Sequence, residues 1–97
     1  MAEHRWLVCY DIACPRRLAR THRWLSRRAV ALQKSVFVAR WNDSDYREVL
    51  QALEARIDPR EDALTLINLP ASAQLDERGR CWLPEGMIWV GNPLENA

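Results

Sequence analysis

A small α+β domain of order βαββαβ is what this 97-residue chain predicts. That order reads as a ferredoxin-like sandwich, two helices on one face of an antiparallel sheet. Three observations carry the prediction. The run from Trp6 to Tyr10 is short and apolar and ends on one acid, Asp11, as a buried strand does. Two later stretches place apolar residues at helical period. Between them lies a β-rich stretch in which neither parity is consistently apolar, which fits two short strands better than one.

The first strand is expected from Arg5 to Asp11 or Ile12. Pro15, a favourable first-turn residue, opens a helix that runs to about Arg28. Its spacing puts Leu18, His22, Leu25 and Ala29 on a core face, and Arg16, Arg20, Arg23 and Arg27 on the opposite one. Val30 to Trp41 is expected to bend near Lys34-Ser35. Asn42 to Asp45 is rich in helix-start residues, and Asp45 with Glu48 has capping-box spacing. The second helix should run to about Arg56, burying Tyr46, Val49, Leu50, Leu53 and Ile57, and stop at Asp58-Pro59. Asp62 to Leu69 is the next strand, closed by Pro70. A polar loop, a short strand at Met87 to Gly91 and a tail complete the chain.

This length makes one domain, 1–97, with a core at about 5–69 and a C-terminal loop, strand and tail over 70–97. Helices on one face leave the other bare, and a second copy covers it most simply, so a two-fold homodimer is expected. The surplus last strand can add to a sheet edge of its own chain or its partner's. Five tryptophans fit an interface as well as a core.

The net charge of +1 hides an asymmetry: residues 1–40 carry nine Lys and Arg against two acids, and residues 41–97 carry five against eleven. Either the halves neutralise each other or the first forms a polyanion-binding face. Cys9, Cys14 and Cys81 have no metal-ligand spacing. The N-terminus lacks the apolar stretch of a signal peptide, and no run reaches the roughly 18 apolar residues of a membrane span. A cytoplasmic protein with reduced cysteines and no membrane association is expected.

Leu-Val-Cys-Tyr-Asp-Ile before an arginine-rich helix, then Leu-Gln-Lys-Ser-Val-Phe, then Ile-Asp-Pro-Arg-Glu-Asp leading into a strand, resembles CRISPR-associated protein two. That family is the small subunit of the spacer-acquisition machinery, and the resemblance covers roughly residues 6–69. It implies a ferredoxin-like homodimer that carries the middle of a duplex DNA and docks the CRISPR integrase. It also implies a magnesium-dependent endonuclease acting on RNA or double-stranded DNA, with manganese as the alternative ion. Asp11 is then the metal ligand and catalytic residue, Tyr10 its motif neighbour, and Ser35 and Phe37 belong to the second motif. Some members carry an arginine just before that motif; Ala31 stands there in this sequence.

One carboxylate per chain suffices for magnesium if phosphate oxygens, waters and a second Asp11 complete the shell. The competing reading has Asp11 capping the first helix or pairing with Arg16 or Arg17. The arginines Arg16, Arg20, Arg23 and Arg27, with Arg17 to one side, suit bidentate phosphate contacts, against the alternative of a solvated face. His22 reads as a core or edge residue, and His4 is a minor candidate for assisting Asp11. Ser35 reads as a bend residue rather than a nucleophile, and Phe37 and Trp41 as core or interface rather than base-stacking platforms. Two functions from different classes follow, a nucleic-acid-binding scaffold and a metal-dependent phosphodiesterase, with a toxin-type ribonuclease of similar fold as the rival outside a CRISPR system.

Overall fold

The first strand, β1 (Glu3–Asp11), sits inside the sheet with a later strand on each side. The computed structural model describes residues 2–76 and 78. Over these the order is β1, α1 (Pro15–Leu25), β2 (Val30–Gln33), β3 (Val36–Asn42), α2 (Asp43–Glu54) and β4 (Ala63–Leu69). The strands lie as β2-β3-β1-β4, all antiparallel. This is the ferredoxin-like arrangement. The expected strand over residues 87–91 lies outside the described residues.

Alternation along β1 explains its central place. Trp6, Val8 and Tyr10 point to the helices, and their partners across β3 and β4 share that face. Phe37, Leu25, Leu53 and Val8 are wholly buried there, and the Trp6 ring stacks on Tyr46 of α2 with centroids 3.9 Å apart. Such a stack contributes about 0.5–1.5 kcal/mol beyond its buried area. The second face carries a smaller apolar cluster, Leu32 and Val38, against which Leu7, Val36, Leu69 and Leu75 pack.

The bend at Lys34-Ser35 is the two-residue turn of the β2–β3 hairpin, and the pairing register shifts between Ala31 and Gln33. A bulge moves side chains to the other face, which is why neither parity of Val30–Trp41 is uniformly apolar. The cap of α2 is Asn42, one position before the helix, whose Oδ1 accepts from the Asp45 N–H at 2.7 Å. The Asp45 box expected from spacing is therefore displaced by a residue nearer the true start.

Helix α1 departs from expectation in two ways. It ends at Leu25, not Arg28, with the Ser26 and Arg28 side chains donating to the carbonyls of His22 and Trp24. Its buried positions are Thr21 and Leu25, while Leu18 is 36% exposed. The helix is rotated from the face that Leu18 and His22 define. At its start Arg17 is drawn to Glu61 and Asp62 in the connection between α2 and β4.

Candidate functional site

Tyr10, Asp11, Ser35 and Phe37 come together where β1 meets the hairpin turn. The Tyr10 N–H donates to the Ser35 carbonyl at 3.1 Å, continuing the ladder past Cys9 and Val36. The Tyr10 hydroxyl donates to the Lys34 carbonyl at 3.3 Å and lies 3.4 Å from His22 Nδ1. Burial pushes the Tyr10 phenol up to about 12, so it stays a neutral donor that fixes the turn and takes no part in proton transfer near neutrality. The Tyr10 and Phe37 rings stack at 6.1 Å, and His22 meets the Phe37 ring at 5.3 Å. Phe37 is core and His22 its edge.

Asp11 stands between buried Tyr10 and Ile12, so its side chain leaves on the sheet face away from the helices and is exposed. Among the described residues it makes no hydrogen bond and no ion pair. The alternative in which it caps α1 or pairs with an arginine does not hold: the cap position is Cys14, with no side-chain cap bond. His4 lies seven residues back along β1, roughly 23 Å away at strand rise, and its Nε2 is 3.7 Å from Asp43. It does not assist Asp11 within one protomer. No cluster of three or more His, Cys, Asp or Glu that could hold a metal exists among the described residues. A magnesium ion at Asp11 fits only as a one-carboxylate site, open to waters, phosphate oxygens and a second copy.

Four of the five arginine candidates, Arg16, Arg20, Arg23 and Arg27, are exposed and make no ion pair among the described residues. Arg27 follows the helix end, yet it lines the same surface depression as Arg20 and Arg23. Arg17 is different. Its Nε donates to Asp62 Oδ2 at 2.9 Å, and its Nη2 reaches Asp62 Oδ1 and Glu61 Oε2, both at 3.1 Å. It is committed to the fold, and counting it with the phosphate contacts does not fit its placement.

Asp62, whose side chain is 0% exposed, is the residue that sequence reasoning missed. Besides Arg17 it accepts from the backbone N–H groups of Ala13, at 3.0 Å, and Asp58, at 2.8 Å. Arg17 first, and then these two amides, hold its carboxyl well below the usual carboxylate range, against the opposing pull of burial. The same bond holds the Arg17 guanidinium firmly protonated. The signal available was the acidic stretch Asp58–Asp62 set against a basic helix, which favours neutralisation for this one arginine.

Cys9 and Cys14 are free thiols among the described residues. No described helix is long and apolar enough to cross a membrane.

The family model for CRISPR associated protein Cas2 matches residues 4–76. The chain belongs to the Cas2 family. A relative named CRISPR-associated endoribonuclease Cas2 1, from Nitrosomonas europaea, is 42% identical over 90 residues, spanning 93% of this chain and 86% of its own length. Among solved structures, a hypothetical protein of Thermus thermophilus superposes with a TM-score of 0.76 at 23% identity, over 87% of this chain and all of its own. Streptococcus pyogenes Cas2 gives a TM-score of 0.70 at 22% identity, over 77% of this chain and 99% of its own. These two distant likenesses establish the fold.

Proposed function

We propose that this Cas2 chain works as a two-fold homodimer that grips duplex DNA by its backbone and scaffolds the CRISPR integrase during spacer acquisition. The observation that carries the reading is the exposed row Arg16, Arg20, Arg23 and Arg27, four guanidinium groups with no carboxylate partner among the described residues. Arginine takes phosphate bidentately, and contacts of that kind position a duplex without reading its sequence. The apolar second sheet face, with Leu7, Val36 and Leu69, supports pairing of two copies. Family membership favours this setting over a toxin-type ribonuclease.

A second activity has its own support. Asp11 is an exposed carboxylate that no described cation neutralises, held beside a turn that Tyr10 and Ser35 fix. We infer that it is the ligand and catalytic carboxylate of a phosphodiesterase that cuts RNA or DNA, in keeping with the endoribonuclease name of the Nitrosomonas relative. Bound magnesium or manganese would supply a polarised phosphoryl oxygen and a more acidic water. Asp11 would hold the ion and accept the water's hydrogen bond. Tyr10 would keep the strand end in place. Two Asp11 carboxylates near the dimer axis would repel each other, which favours cation uptake.

One set of variants tests both readings. Arg16→Ala with Arg20→Ala should flatten the dependence of duplex binding on salt, lowering the slope by about 0.9 for each phosphate no longer neutralised. An unchanged slope removes the arginine row. Asp11→Ala should abolish magnesium-dependent cleavage of RNA or duplex DNA while leaving duplex and integrase binding intact. Cleavage that persists in Asp11→Ala removes the phosphodiesterase.

A further inference from the structure

The arginine row does not stop at α1. A depression of about 200 Å³ is lined by Arg20, Arg23, Trp24 and Arg27 from α1 and the turn after it, and by Arg56 from the turn after α2. Arg56 lies outside every stretch that the sequence marked as basic. Its guanidinium carbon sits 4.7 Å from the Trp24 ring centroid, and one of its N–H groups donates to the Ala52 carbonyl at 2.8 Å. Those two contacts set the plane of the fork while leaving most of its five donors unspent. A fork held in this way loses less freedom when it binds an oxyanion.

The electrostatics of this depression are one-sided. No acid lines it, and none of its four arginines has an ion-pair partner among the described residues. A neighbouring depression of about 200 Å³ is of opposite character: Trp24, Arg28 and Trp41 line it together with Asp45 and Glu48. Arg28, 4.0 Å from the Trp24 centroid, borders those acids and is left out of the site. Four like charges converging on one hollow repel, and an anion with several oxygens relieves them all. Arg20 and Arg23 stand about one turn apart on α1 and Arg27 follows in the turn beyond it, an arrangement that offers a track rather than a point.

We propose that Arg56, oriented by Trp24, extends the α1 arginines into a phosphate-binding track on the helix layer, which takes consecutive phosphates of a nucleic-acid backbone. This rests on the reading of the chain as a nucleic-acid holder and adds to it a residue and a path. The path runs over the helix layer, whereas Asp11 leaves the opposite face of the sheet. Within one protomer, the phosphates on the track are therefore not the phosphate presented to Asp11.

The test compares the salt dependence of binding to a fluorescein-labelled duplex DNA for the full chain, Arg56→Met, Arg56→Lys and the Arg16→Ala, Arg20→Ala double variant. Met keeps an apolar stem against Trp24 and removes the charge; Lys keeps the charge and loses the fork. Arg56→Met should lower the slope of log K against log salt by about 0.9 per engaged copy, with an unchanged far-ultraviolet circular dichroism spectrum, and Arg56→Lys should retain the slope. An unchanged slope in Arg56→Met, with a lowered slope in the double variant, overturns the track and leaves the holder. Equal reductions in Met and Lys make Arg56 a packing residue and overturn the track as well. Unchanged slopes in Arg56→Met and in the double variant overturn both readings.

Discussion

Thr21, like Leu25, is wholly buried in α1, and its hydroxyl has no hydrogen-bond partner among the described residues. A buried donor left without a partner costs about 1–3 kcal/mol. Valine matches the shape without the hydroxyl and has similar helix propensity. Thr21→Val should therefore raise stability by about 1 kcal/mol, read as a higher urea midpoint with an unchanged m-value. A lower midpoint would mean that the hydroxyl has a partner in solution. In the same helix Leu18 is 36% exposed, and Arg17, one residue before it, is clasped by Asp62.

That clasp acts on elements. Asp62 joins the β1–α1 connection through Ala13, the first turns of α1 through Arg17 and the α2–β4 connection through Asp58. Its carboxyl is held below the ordinary range near 4. A depressed folded value means that the unfolded chain takes the proton first as pH falls. The stabilisation is thus complete above about pH 4–5 and is lost progressively as pH drops toward the folded value. Thermal melting of the native chain should fall progressively below about pH 5 and go on falling below about pH 3. Asp62→Asn should melt lower at pH 7 and fall less steeply over that window; parallel curves would count against the clasp.

The elements themselves were legible because their signals are local. The apolar run Trp6–Tyr10, Pro15 and the failure of both parities across Val30–Trp41 each depend on neighbours in sequence. Tyr10, Asp11, Ser35 and Phe37 were singled out by the family resemblance, and their meeting at the strand end comes from the pairing of β1 with the β2–β3 hairpin. Arg17 with Asp62, and Arg56 with Trp24, were not legible. Both pairs join segments more than 30 positions apart, a separation that helical spacing within one element does not bridge.

At the scale of the molecule, the two sheet faces divide the work. Helices cover one face; Leu7, Val36, Ile67 and Leu69 belong to the other. Ile67 is 42% exposed, so a charge there is tolerated by one chain and not by a sheet-to-sheet dimer. An unpaired charge buried at such a seam costs roughly 3–5 kcal/mol, which is more than a hundredfold in Kd. Sedimentation should therefore find the native chain dimeric and Ile67→Glu monomeric, with the same far-ultraviolet spectrum. A monomeric native chain, or a dimeric variant, removes this face from the dimer.

The strand order β2-β3-β1-β4 also bears on how the chain is made. β1 leaves the ribosome first, yet both strands that flank it come later, the second finishing only at Leu69. At about 5–20 residues per second, the synthesis of residues 12–69 leaves Trp6–Tyr10 with an open edge for about 3–12 s. An apolar strand in that condition is the segment of this chain most prone to pair with a neighbour's. Asp11 at its end, and Arg16 and Arg17 just beyond, place charge beside it throughout that interval, so the residues proposed to hold an ion and a phosphate, and the one that forms the clasp, first serve as gatekeepers against aggregation.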